Sequence, residues 1–315
     1  MIVASLAVIK LALVSLFGFI LYRKDVISNE VLGFLTSFVI NFTIPFLIFS
    51  RLIGNSSAVL THSVWNFLFL SLLIFAVGYF LGFLANSRGE NKSRKEFISL
   101  ISFQNAGYLP MNIAFFLFSS TVKEQFLVYI FLYLLGFNII MWSIGSFLIF
   151  KRKDEEFKFS SLFNPPVIST FLALALIYSG GFRLIPQVLL SPLRMIGDTS
   201  FVLSMLVLGC WLAKVKIKGF RRDLPYLMLA CSMKNLVLPL IFFIFIVYFN
   251  IFGLIGLFII LQASMPSAAS LPVVVNIRGA DSGFVSQGVF FTHLLSIFTI
   301  PMWLGLYLKF SGFPL

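Results

Sequence analysis

Long apolar stretches separated by short polar segments dominate the pattern of this chain. A helix that crosses a bilayer needs about 20 predominantly apolar residues, and ten stretches approach that length. We therefore predict an all-α polytopic membrane protein with ten transmembrane spans. Spans 1 to 10 are predicted at residues 2–22, 31–52, 63–85, 97–118, 125–150, 165–181, 191–213, 224–249, 253–276 and 283–309.

Composition supports a membrane protein and indicates its orientation. Hydrophobic residues make up 60% of the 315 residues and charged residues 11%, against about 45–50% and about 25% in soluble domains. The net charge of +12 raises the alternative of nucleic-acid binding, but the basic residues are spread over several short loops. With the N-terminus outside, 16 of the 23 Lys and Arg residues fall in inner loops and five on the outer side. This asymmetry predicts that both termini lie outside and that the loop between spans 5 and 6 is cytoplasmic.

Two of the predicted spans contain helix-breaking residues near their middle. Span 4 holds Gly107 and Pro110 beside amide side chains, and span 9 holds Pro266 and Pro272 among serines. Proline removes a backbone N–H group and clashes with the preceding turn. Non-helical backbone at this depth is tolerated only where it is buried in protein or lines a cavity. We therefore predict that spans 4 and 9 are broken helices.

The two breaks are related by a fixed offset along the chain. An offset of 156 residues carries Thr43 onto Thr199 and Pro110 onto Pro266. Five spans per half would place the halves in opposite membrane orientations, which is the arrangement of many secondary transporters. The predicted units are a first five-helix repeat at 1–150, a short cytoplasmic linker at 151–163 and an inverted second repeat at 164–315.

Six short motifs in a set order give the chain a resemblance to a known family. In these motifs the sequence resembles the auxin efflux carrier family, which includes plant auxin exporters and bacterial malonate-type carriers. The motifs are Asn41-Phe42-Thr43-Ile44-Pro45, Asn105-Ala106-Gly107-Tyr108-Leu109-Pro110, Asn164-Pro165-Pro166, Gly197-Asp198-Thr199, Lys234-Asn235-Leu236-Val237-Leu238-Pro239 and Met265-Pro266-Ser267-Ala268-Ala269.

The resemblance implies the ten-helix fold shared with sodium–bile-acid symporters. Spans 1, 2, 6 and 7 would form a scaffold, and spans 3–5 and 8–10 a transport domain. It further implies that spans 4 and 9 cross at their breaks, that substrate binds beside the crossing, and that the transport domain moves like an elevator. The chain departs from its relatives in span 9, where Gln262 stands without the acidic residue that sodium-coupled members carry near the break.

Polar residues near the breaks are the candidate substrate ligands. Asn105 comes first, because its amide can donate and accept, and the half-helix that follows offers free N–H groups to an anion. The alternative is that this amide only satisfies backbone groups freed by the break. Lys234 lies in the middle of span 8, where placing a charge in the membrane costs about 2.5–3.5 kcal/mol. Its ammonium would attract an anionic substrate or replace a bound cation. The alternative is that the side chain extends to the cytoplasmic surface. The other candidates, with packing or capping as the alternative, are Gln104, Asn41, Thr43, Gln262 and Ser267.

Three in-span residues are candidates for ion coupling. Asp198 is the one carboxylate that we place within a span, and burial would favour its protonation. The alternative is an ion pair, for which Lys10 at a similar depth is the expected partner. His293 of span 10 could relay protons or serve as a hydrogen-bonded interior residue. Asn138 is a further polar residue inside span 5.

These features predict a secondary active transporter. No nucleotide, metal or catalytic motif is recognisable, so we expect neither an enzyme nor a cofactor nor a bound metal. The expected substrate is a small organic anion, a carboxylate of auxin or malonate type, moved across the plasma membrane by a proton or potential gradient. The alternatives are a sodium-coupled symporter of the bile-acid type, a channel-like facilitator, or a receptor or sensor without transport. The expected partners are the anion, the lipid bilayer and a coupling proton or sodium ion; a homodimer is compatible, and nucleic acid is not expected.

Overall fold

The described part of the chain is almost entirely helical. The computed structural model describes residues 2–86, 94–151, 162–215 and 220–313, so most of the predicted linker at 151–163 lies outside it. The helices of these residues are α1 (Ile2–Arg23), α2 (Asn29–Phe38), α3 (Ile44–Gly54), α4 (Ser56–Thr61), α5 (Val64–Ala85), α6 (Arg94–Ser102), α7 (Tyr108–Leu117), α8 (Ser120–Ile139), α9 (Gly145–Phe150), α10 (Pro165–Tyr178), α11 (Gln187–Lys214), α12 (Phe220–Ser232), α13 (Leu238–Tyr248), α14 (Leu254–Ala263), α15 (Leu271–Ile277) and α16 (Ser282–Ser311).

Three pairs of these helices continue into one another through a single π-helical turn. Val39–Thr43 joins α2 to α3, Ile140–Ile144 joins α8 to α9, and Met233–Val237 joins α12 to α13. Pro45 and Pro239 stand just after two of these turns. A widened turn accommodates a residue that lacks a backbone N–H group, so the rods continue past each proline.

Seven of the described helical segments are long and apolar enough to cross a membrane. They correspond to predicted spans 1, 2, 3, 5, 7, 8 and 10. Span 6 corresponds to the fourteen residues of α10. Spans 4 and 9 are interrupted as predicted, each by non-helical backbone between two short helices, α6 and α7 in one case and α14 and α15 in the other. The chain is thus an integral membrane protein, while ten complete crossings and an inverted repeat stay predictions.

The helices pack in two groups. Helices α1, α3, α10 and α11 pack against one another, and we call these with α2 the scaffold helices. The helices from α5 to α9 and from α12 to α16 form the second group, which we call the crossing group; its α7 lies against both α1 and α11, and its α16 lies against α1. Within the scaffold, α1 and α11 approach closely because glycines face backbone: a Cβ atom on Gly209 would meet the Ser15 carbonyl, and one on Gly18 the Leu206 carbonyl. Small residues permit such contact between membrane helices.

Replacing Gly209 with alanine tests this packing. The added methyl group should force α1 and α11 apart and lower the free energy of unfolding by about 1–3 kcal/mol. Gly33→Ala is the matched control, since a Cβ atom there meets nothing within 4 Å and alanine is the better helix former. We expect the melting temperature in detergent to fall for Gly209→Ala only; an equal effect of both variants would contradict the packing argument.

Candidate functional site

The two breaks pair with each other through their backbones. The Asn105 N–H group donates to the Pro266 carbonyl at 2.7 Å, and the Ala268 N–H group donates to the Phe103 carbonyl at 3.0 Å. Gln104 and Ser267 thereby form an isolated antiparallel bridge. Each break thus satisfies polar backbone groups that the other exposes, as burial in a membrane requires.

Three of the predicted ligands hold this crossing together through backbone carbonyls. The Ser267 hydroxyl donates to the Leu100 carbonyl at 2.7 Å, and the Gln262 amide donates to the Ala106 carbonyl at 3.2 Å. The fully buried Lys234 ammonium donates to the Ile101 carbonyl at 2.9 Å. The three side chains of spans 8 and 9 therefore bind backbone carbonyls of span 4 in this conformation. Lys234 does not reach the surface, because it is fully buried.

The predicted helix-breaking residues lie at two kinds of position, at the start of a half-helix or within the crossing. Gly107 is the residue before α7, and Pro110 lies in the first turn of that helix, where a missing N–H group is harmless. Pro272 has the same place in α15. Pro266 lies in the crossing itself and accepts the hydrogen bond from Asn105. Pro110 and Pro272 therefore lie in the first turns of the second half-helices, whereas Pro266 lies within a break.

A cavity of about 500 Å³ lies between the scaffold helices and the crossing. Its volume is within the range of about 300–1,000 Å³ that small-molecule sites occupy. Of the predicted ligands, Asn105, Gln104 and Asn41 line it; among the described residues, its lining includes neither Thr43, Gln262, Ser267 nor Lys234, and no charged side chain. Its polar and aromatic lining comprises Thr36, Ser37, Asn41, Gln104, Asn105, Tyr108, Phe137, Asn138, Trp142, Asn164, Trp211 and Ser270.

His293 holds Asn105 in place at the wall of this cavity. The ring Nδ1 lies 2.8 Å from the Val289 carbonyl, and Nε2 lies 3.1 Å from the Asn105 amide nitrogen. Because a carbonyl only accepts, Nδ1 carries the proton and Nε2 accepts from Asn105. His293 also lines a second, apolar cavity of about 160 Å³ between α1, α11 and α16. His293 thus lines the second cavity, while its partner Asn105 lines the first.

The predicted ion pair between Asp198 and Lys10 is not formed. Asp198 accepts from Arg51 at 2.5 Å, and the Lys10 ammonium lies 5.5 Å from the centroid of the Phe116 ring. Sequence position placed Arg51 on the outer side, but it lies in α3, is 6% exposed and also pairs with Glu124. The Asp198 side chain is 43% exposed, so the burial that motivated its coupling role is incomplete.

Thr43 has a partner within the scaffold. Its hydroxyl accepts from Ser200 at 2.8 Å and donates to the Val39 carbonyl at 3.3 Å. This bond ties span 2 to span 7, so Thr43 acts in packing here. Sequence analysis missed Trp142 and Trp211 of the cavity wall, because an aromatic residue in a membrane helix gives no signal of which face it occupies.

Paired broken helices beside a cavity, within a bundle of apolar helices, define a polytopic membrane transport protein. A comparison with known families identifies the family: the membrane transport protein family matches residues 3–158 and 154–304. The chain belongs to this family, which is that of the auxin efflux carriers, and the resemblance in the motifs is confirmed. It is also similar to an uncharacterized transporter of Methanocaldococcus jannaschii, with 26% identity over 289 residues that cover 88% of this chain and 90% of the archaeal protein.

Two buried serines of the second break test the role of the pairing. Ser267 bonds across to the other break, whereas Ser264 bonds the Leu261 carbonyl of its own helix at 2.9 Å. Ser267→Ala leaves the Leu100 carbonyl without this donor, which costs about 1–3 kcal/mol when the group is buried. We expect Ser267→Ala to lower the melting temperature in detergent clearly more than Ser264→Ala; equal effects would show that the crossing does not depend on this bond.

Proposed function

We propose that this protein is a secondary active transporter that binds a small organic anion, a carboxylate, in the cavity between the scaffold helices and the crossing. The observation that carries the proposal is the cavity itself, since it has the volume of a small-molecule site and is bordered by the broken helix at Asn105. Transporter sites characteristically lie where discontinuous helices meet.

Uncharged donors and a helix terminus favour an anion in this cavity. Asn105, Gly107 and Tyr108 all line it, and α7 begins at Tyr108. The first backbone N–H groups of a helix lack intrahelical partners and lie at the positive end of its dipole. The lining supplies amides and hydroxyls but, among the described residues, no carboxylate to hold a cation. This combination supports a carboxylate substrate. For such a substrate we propose a proton or potential gradient as the driving force.

The position of the cavity supports an inward-facing conformation. On the scaffold side its lining comes mainly from the halves of α2, α10 and α11 that lie near Asn29, Asn164 and Lys214. The distribution of basic residues predicts that this side is cytoplasmic, with both termini outside and the linker at 151–163 inside. Transport would require the crossing group to carry the site past the scaffold helices in an elevator movement, so that the cavity opens to the other side of the plasma membrane.

Sodium-coupled symport is the second candidate function, and one observation favours it. The side-chain oxygens Oε1 of Gln262 and Oδ1 of Asn235 are buried without a hydrogen-bond partner, and hard cations prefer oxygen ligands. Separate gradients distinguish the two functions. In proteoliposomes loaded with labelled carboxylates, we expect a pH or potential gradient to drive flux and a sodium gradient to leave it unchanged; flux that requires sodium would select the symporter.

Replacing Asn105 with alanine tests the binding site. The variant loses the amide that borders the half-helix, and we expect saturable carboxylate transport and binding to disappear while the protein stays monodisperse. Asn66→Ala is the control, because Asn66 is exposed at the start of α5. Wild-type affinity in Asn105→Ala would remove this residue from the site. Saturable transport of a cation, with no transport of any carboxylate, would overturn the proposed function; ligand binding without counterflow would indicate a receptor.

A further inference from the structure

The side of the molecule away from the cavity is closed by contacts between the two helix groups. Along α7, the Asn112 amide donates to the Ser204 hydroxyl at 3.2 Å, and the rings of Phe115 and Phe201 lie 5.0 Å apart. Both partners on the scaffold side belong to α11. The closure continues to the end of α7 and into the start of α8, where Glu124 lies.

An ion cluster joins the groups at this end. Arg51 of α3 pairs through Nη1 with Glu124 of α8 and through Nη2 with Asp198 of α11 at 2.5 Å. Asn55 adds a second scaffold donor to Glu124, with 3.1 Å between its amide nitrogen and Oε2. The Arg51 side chain is 8% exposed, so its charge is largely withdrawn from water and depends on these two carboxylates.

The two acidic partners of Arg51 belong to different groups of helices. Arg51 and Asp198 both lie in the scaffold, so their bond persists whatever the crossing group does. Glu124 lies in the crossing group, so its bonds to Arg51 and Asn55 must break if that group moves. Asp198 would then still neutralise the guanidinium of Arg51. Without this second carboxylate, Arg51 would be left as a buried charge without a partner, which is strongly unfavourable.

We propose that Arg51 and Glu124 form a latch that holds the outer entrance shut in the inward-facing state, and that Asp198 is the fixed counter-ion that positions Arg51 when the latch opens. The inference rests on the proposed movement of the crossing group. It assigns Glu124 a role that depends on conformation and Asp198 one that does not. Removing the charge of Glu124 should therefore change how often the outer entrance opens, whereas removing that of Asp198 should not. Two carboxylates with the same structural role would not show this difference.

Thiol labelling from outside tests the latch without a substrate. The reporter is Ser204→Cys, a fully buried position of the closed interface, in a background with Cys210→Ala and Cys231→Ala. Intact cells are treated with a membrane-impermeant maleimide. Glu124→Gln should speed labelling by about tenfold or more, as loss of a charge-assisted hydrogen bond implies, whereas Asp198→Asn should leave the rate within about threefold of the parent.

Unchanged labelling in Glu124→Gln, or an equal rise in Asp198→Asn, would overturn the latch. If Glu124→Gln does not reach the membrane, Asn55→Ala removes one scaffold donor to the same carboxylate while all charges remain, and it too should speed labelling; no change there would equally contradict the proposal. Because the readout is accessibility, failure of the latch is distinguishable from failure of carboxylate transport, which is measured separately in proteoliposomes.

Discussion

The structure depends on one constraint, that backbone polar groups in a membrane need partners within the protein. Two helices stop near the middle of the bundle, and the N–H and carbonyl groups freed there need partners other than lipid. The bridge between Gln104 and Ser267 solves this by pairing each break with the other. Lys234, Gln262 and Ser267 then bind carbonyls at the ends of the half-helices. The crossing is therefore a cluster of mutually hydrogen-bonded polar groups enclosed by apolar helices.

The proposed function uses the face of the crossing that is not needed for its own hydrogen bonds. Asn105 takes part in the pairing through its backbone, while its side chain borders the cavity and is oriented by His293. Hydrogen bonds to the rest of the protein thus fix the backbone of this short segment, while the Asn105 side chain faces the cavity. On the opposite side the two helix groups touch through Asn112, Phe115 and Glu124. In the proposed function, the cavity on one side of the crossing and the packed contacts on the other side would supply the asymmetry that alternating access requires.

The sequence predicted the features that depend on local pattern. Long apolar runs indicated the spans, and glycine and proline beside amides indicated the breaks, because backbone chemistry makes both visible in one dimension. It could not predict which carbonyl Lys234 or Ser267 would meet, since that depends on how two distant breaks align. The expected pair of Asp198 with Lys10 was wrong for the same reason: similar depth does not say which helix faces which, and Arg51 reaches Asp198 from α3.

The central claim is that the cavity beside the crossing binds an organic anion without sodium. A thermal-shift screen of carboxylates on the purified protein, with and without sodium and at two pH values, tests it most directly. The account predicts that at least one carboxylate raises the melting temperature by the same amount in sodium and in a sodium-free buffer. Stabilisation that appears only with sodium, or only with organic cations, would contradict it.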